Sequence, residues 1–228
     1  MSDKKLVWDL PLRLFHWLFG ISILAAWATA ELGEEQIHMW LGYLILSLLV
    51  FRVCWGLWGT TYAQFRHFYP RPKLILNYLK NLLNGRSTET MGHNPLGGLM
   101  VFLMLALVAI QAITGLFTEG EIWAGPYRSA VDKSLAKQLE AIHHSNFDYI
   151  LLAIGLHIAA ILFYLINKKQ NLIWPMITGK KRADLAPEEQ GIAHSKLWLA
   201  TLTAIFVGGF IYWLVAVAPP PVIYEYYY

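Results

Sequence analysis

The stretch Glu140–Asn167, EAIHHSNFDYILLAIGLHIAAILFYLIN, reads as one membrane-crossing helix with a histidine near each end. His143 and His157 are fourteen residues apart, four turns of a slightly underwound helix, so both imidazoles leave one face. At a rise of about 1.5 Å per residue they stand roughly 21 Å apart along the axis. That is enough to put one group near each border of a hydrocarbon slab about 30 Å thick. An ionisable side chain at such depth must find a partner or bind something. His144 competes with His143, but thirteen residues before His157 it lies about 220° round the helix, on the opposite face, and reads as a surface residue.

Of the 228 residues, 57% are hydrophobic and 14% charged, which excludes an ordinary soluble domain and fits an all-α integral membrane protein. Span 1 covers about residues 10–30, with Pro11 in its first turn. Span 2 covers about 38–58, with tryptophans near both ends and Arg52 near the far one. Span 3 runs from about 95 to 117 behind Asn94 as N-cap, and span 4 from about 143 to 167. Residues 1–182 are therefore expected to form a four-helix transmembrane bundle. Residues 183–228 add a polar linker with Pro187, a fifth transmembrane helix at about 196–217 and a short tail of prolines and tyrosines. Residues 72–84 alternate leucines with lysine and asparagine at helical spacing, which predicts an amphipathic helix on the membrane surface. A separate short helical pattern, SAVDKSLAKQLEA, is expected in the loop before span 4. No cleavable leader pattern precedes span 1, so that span is expected to be retained.

Of the 18 lysines and arginines, only Arg128, Lys133 and Lys137 fall on one side of these spans. The positive-inside rule makes the N-terminus cytoplasmic and, after five crossings, puts the C-terminus on the outer side. Depth then forces the pairing. His16 and His157 lie toward the cytoplasm, and His38 and His143 toward the outside, each pair from facing helices. Two imidazoles at matching depth are the axial ligands of an electron-transfer haem and leave no position open for oxygen chemistry. The chain has a single cysteine, Cys54, and no Cys-x-x-Cys-His site, so two haem b groups are expected, one held by His16 and His157 and one by His38 and His143.

A lone histidine near a helix end is usually an interfacial or packing residue; four in two depth-matched pairs are not. His67, His93 and His194 have no depth-matched partner and read as solvated or capping residues. Arg13, one turn before His16, is placed to meet a haem propionate, and Arg52 similarly; a topogenic charge is the plain alternative for both. Gly20, Gly42 and Gly155 suit either close approach of a porphyrin or ordinary contact between membrane helices.

The runs VWDLPLRLFHW, HMWLGYLILSLLVFRVCWGLWG, GHNPLGGLMVFL, the His-x13-His pattern and NLIWPMITGKK resemble the bacterial cytochrome b561 and nickel-iron hydrogenase cytochrome b family over residues 6–182. That resemblance implies a four-helix core with two b haems on His16, His38, His143 and His157, and electron exchange between the quinone pool and a redox partner. A periplasmic c-type cytochrome is the expected partner. The alternatives are a hydrogenase or dehydrogenase module, which would drive electrons into quinone, and superoxide oxidation coupled to quinone. A quinol/quinone pocket is expected at His93, Asn94 and Pro95 together with Lys80, with a plain N-cap and loop as the alternative. Beyond membrane lipid, the quinone pool and such a partner, nothing points to a nucleic acid. The competing class is a haem-free proton or metal transporter, which would lack a b-type absorption band.

Overall fold

The computed structural model describes residues 4–86, 89–120, 123–185 and 190–220. Pro187 and residues 221–228 of the expected tail lie outside them. In chain order the elements are β1 (Lys4–Leu6), α1 (Leu10–Glu31), α2 (Glu35–Trp58), α3 (Pro72–Leu83), α4 (Pro95–Gly115), α5 (Lys133–Asn167), α6 (Ile173–Thr178), β2 (Lys180–Arg182) and α7 (Leu197–Tyr212). A wider π turn, Trp213–Val217, extends α7. Among the described residues five helices, α1, α2, α4, α5 and extended α7, are long and apolar enough to cross a membrane. Their large apolar side chains stand in the open, Ile21 at 61% and Ile205 at 67% exposure, as lipid rather than water requires. The chain is an all-α integral membrane protein.

The start of α1 shows how local chemistry fixes a helix end. Buried Asp9 is the N-cap, its Oδ1 accepting from Leu12 N at 2.7 Å. Pro11 has no donor to satisfy, and Leu10 N donates to Ser195 Oγ at 3.1 Å. Asp9 also accepts from Trp55 Nε1 at 3.1 Å and from the Thr60 hydroxyl, joining α1 to the end of α2. A capping aspartate is normally solvated; here a tryptophan and a threonine replace the water.

One boundary differs from expectation. The short helical pattern and span 4 are a single 35-residue helix, α5, beginning at Lys133. Asp132 starts it by accepting from Leu135 N at 2.9 Å, and no glycine or proline interrupts the sequence before Gly155. The ribbon of β1 and β2 was also not anticipated. It pairs Lys4 with Arg182, Lys5 with Lys181 and Leu6 with Lys180, antiparallel. Gly179 makes the joint: it has φ +81°, and its carbonyl accepts from Val7 N and Trp8 N.

The chain divides into two compact units. The first is Met1–Trp17, Arg52–Leu105 and Leu152–Thr203; the second is Leu18–Phe51, Ala106–Leu151 and Ala204–Tyr228. In the first, α3 is tied to α5 by Tyr78 and Tyr164, whose hydroxyls are 3.0 Å apart, and by Lys168 Nζ donating to Leu82 O. α7 is fastened there by Trp58 Nε1 donating to Thr203 Oγ1 at 3.1 Å. In the second unit Tyr127 donates its hydroxyl to Leu214 O at 2.8 Å, inside the π turn where regular helix bonding is displaced. Of the 18 basic residues only Arg128, Lys133 and Lys137 belong to the second unit.

Candidate functional site

In the second unit His38 of α2 faces His143 of α5, ring centres 6.2 Å apart and planes at 81°. His38 Nδ1 lies 2.8 Å from Ala26 O, and His143 Nδ1 lies 2.9 Å from Gln111 O. A carbonyl can only accept, so each Nδ1 carries the proton and each Nε2 keeps its lone pair for a metal. Three residues of α4 cradle the His143 ring. Gln111 supplies the carbonyl, Thr114 Oγ1 lies 3.3 Å from Nδ1, and Gly115 leaves room: a Cβ there would sit 2.9 Å from His143 Cε1. One turn along α5, buried Asn146 donates to Leu107 O at 2.9 Å and to Gln111 Oε1 at 2.8 Å. Gln111 is thus held by backbone and side chain together.

In the first unit His16 of α1 faces His157 of α5, ring centres 6.3 Å apart and planes at 55°. Among the described residues His16 Nδ1 is buried without a hydrogen-bond partner. A metal–imidazole bond is about 2.0–2.1 Å long and the ring centre lies roughly 1.1 Å behind the nitrogen, so two imidazoles across one metal ion put their centres about 6.2–6.4 Å apart. Both pairs have that spacing, and the residues fit a group bound between them.

The other candidates fall as follows. Arg13 donates one Nη to Ile177 O, while its buried Nε has no partner among the described residues. Arg52 is 2% exposed, its guanidinium 4.6 Å over the Phe65 ring, and Nη1 and Nη2 are unsatisfied. A buried cation with free donors requires an acceptor. Among the described residues, a Cβ at Gly20, Gly42 or Gly155 would meet nothing within 4 Å, so these glycines do not serve contact between the described helices. Gly20 and Gly42 each follow a paired histidine by one turn, on its face. His144 is exposed, its Nε2 4.0 Å from Glu140.

The expectation that His93 is solvated or capping does not hold. Its ring packs on Trp8, centres 4.7 Å apart, and on Phe68 at 4.3 Å, and its buried Nδ1 has no partner. Burial pushes its pKa down to about 3, with the positive charges of Arg52 and Lys181 acting the same way. Neighbouring Asn94 is the cap of α4, its Oδ1 accepting from Gly97 N at 2.7 Å while Nδ2 donates to Tyr164 at 3.3 Å. The Lys80 side chain is exposed and, among the described residues, makes no hydrogen bond or ion pair with this group. Gln111, Thr114, Gly115, Asn146 and Asp9 were missed from sequence, since each is an unremarkable residue until α4 or α2 is packed beside it.

Paired histidines carried on membrane helices define a class, and comparison with known proteins names it. The family model of prokaryotic cytochrome b561 matches residues 7–179, and the chain belongs to that family: a b-type cytochrome of membrane electron transfer. It is 26% identical over 214 residues to a probable Ni/Fe-hydrogenase B-type cytochrome subunit of Rhizobium leguminosarum bv. viciae, covering 77% of this chain and 87% of that one. A subunit of the same name from Azotobacter vinelandii is 25% identical over 209 residues, covering 76% and 86%. A probable superoxide oxidase CybB of Yersinia pestis is 25% identical over 183 residues, covering 73% and 93%.

Proposed function

We propose that the chain holds two b haems, one between His38 and His143 and one between His16 and His157, and carries electrons between the quinone pool and a redox partner. The observation that carries this is the ring spacing, 6.2 Å in one pair and 6.3 Å in the other, in two sites built from different residues. When bound, haem supplies one-electron exchange between iron(II) and iron(III). The chain supplies the rest. His16 and His157 would hold one group and His38 and His143 the other, apolar helices surround them, and carbonyl acceptors fix the Nδ1–H tautomer of His38 and His143. In the first unit, Arg13 Nε and Arg52 Nη1 and Nη2 have the unsatisfied donors that haem propionates would accept from.

The quinone ring is assigned to the neighbourhood of His93, whose unpartnered Nδ1 can bond a quinone oxygen; Asn94 and Pro95 shape its border and Lys80 is less well placed than expected. Segregation of nearly all lysine and arginine to the first unit supports a cytoplasmic N-terminus and periplasmic C-terminus in the bacterial inner membrane. We favour a periplasmic c-type cytochrome as partner, the chain acting as a quinol-oxidising electron-transfer subunit. The second reading, in which a hydrogenase feeds electrons toward quinone, is favoured by the names of the relatives from Rhizobium and Azotobacter; a superoxide:quinone oxidoreductase is favoured by that of the relative from Yersinia. Co-purification decides: an associated haem c supports the first, a metal-bearing catalytic subunit the second, and haem reduction by superoxide alone the third.

A further inference from the structure

The two histidine pairs are alike in spacing and unlike in what stands behind them. In the second unit both Nδ1 atoms have a backbone carbonyl within 2.9 Å, and the one behind His143 belongs to Gln111, which Asn146 grips by its side chain. In the first unit His16 Nδ1 is buried with no acceptor, and the same unit holds the buried guanidinium of Arg52. An Nδ1–H bonded to a carbonyl makes the imidazole a stronger donor and stabilises iron(III); a fixed positive charge favours iron(II). Both differences have the same sign.

We propose that Asn146 and Thr114 are positioning residues that hold the Gln111 carbonyl and the His143 ring in register, and thereby make the His38/His143 haem the lower-potential one. With one electron per chain, the iron between His16 and His157 is the reduced one. With both groups bound, the transfer would be of one electron alone, from the site held by His38 and His143 to the site held by His16 and His157, with no bond made or broken. The inference rests on the di-haem reading. Asn146 matters because a buried polar side chain inside a membrane helix must be matched, and here one of its two bonds ends on Leu107 O and the other on the side chain of Gln111, whose carbonyl serves His143.

The test is a spectroelectrochemical titration of the purified holoprotein with both haems bound, alongside Asn146→Leu, Thr114→Val and His38→Ala. His38→Ala should alter the lower of the two reduction waves. Asn146→Leu should raise the reduced-to-oxidised ratio of that same haem about tenfold at a fixed potential, roughly 59 mV for one electron, and Thr114→Val should raise it less. The upper wave stays in place in both, and the low-spin electron paramagnetic resonance g values of the lower-wave haem change as the ring turns. Should Asn146→Leu fail to retain haem, Thr114→Val and the wild-type assignment still decide. The proposal is overturned if His38→Ala alters the upper wave, or if the variants that keep both haems leave the lower wave unmoved. A protein with no haem overturns the di-haem reading as well; two haems in the reverse order overturn only this inference.

Discussion

Gly115→Ala is the substitution that most sharply tests the cradle around His143. A methyl group on Gly115 would lie 2.9 Å from His143 Cε1 and 3.3 Å from Nδ1. Carbon atoms in ordinary contact are about 3.5–4.0 Å apart, so the ring must withdraw by roughly 0.6–1.1 Å. A metal–ligand distance tolerates only about 0.2 Å. The same withdrawal stretches the Nδ1 bond to Gln111 O from 2.9 Å toward a length at which it no longer counts as one. Loss of such support typically costs about 10–100-fold in metal affinity, roughly 1.4–2.7 kcal/mol. The conformational effect has the opposite sign, because alanine in a helix is favoured over glycine by about 0.5–1 kcal/mol. Haem content per chain and the rate of haem transfer to an excess acceptor protein read the outcome, with Gly208→Ala on α7, where a Cβ meets nothing within 4 Å, as the control. Gly115→Ala should lose the His38/His143 haem faster and Gly208→Ala should not. Wild-type haem retention in Gly115→Ala would refute the reasoning.

Three further outcomes follow from the same geometry. Asp9→Ala removes the cap of α1 and the carboxylate that Trp55 Nε1 and the Thr60 hydroxyl donate to, a loss of roughly 3–5 kcal/mol visible as a large fall in thermal midpoint in detergent; Asp9→Asn, which keeps an acceptor for Leu12 N, should lose less. His93 is neutral in the folded chain down to about pH 3 and protonates near 6.5 when unfolded. Between those values the unfolded chain binds the extra proton, so stability falls on acidification by up to about 1.4 kcal/mol per pH unit. His93→Phe should flatten that limb of a stability-against-pH curve, and an unchanged limb would place its cause elsewhere. Gly20→Ala and Gly42→Ala add a methyl one turn beyond His16 and His38, where among the described residues no other element comes within 4 Å, so each should lower occupancy of its own haem only, as counted by reduced-band absorbance per chain.

How much of this was legible in sequence follows from periodicity. The paired histidines could be read because a helix repeats every 3.6 residues and a membrane fixes depth, so spacing along the chain converts directly into position. The same logic found α3, where Ile75, Tyr78 and Leu82 mark one face. It could not find Gln111, Thr114, Gly115 and Asn146, whose roles exist only once α4 lies against α5 at one rotation about its axis. Nor could it find β1 and β2: three-residue strands of mostly like charge carry no pattern, and their pairing depends on where Gly179 turns the chain. His93 was misread for the same reason. Trp8 and Phe68 come from distant parts of the sequence, and only the fold stacks them on its ring.

Haem counted against protein is the direct measurement. The purified chain should carry two protohaems, both six-coordinate and low-spin in the oxidised and reduced states, with His157→Ala or His16→Ala disturbing one and His143→Ala or His38→Ala the other. A preparation reconstituted with excess haem that holds none, or that keeps both chromophores unaltered after any of these four substitutions, would contradict the account.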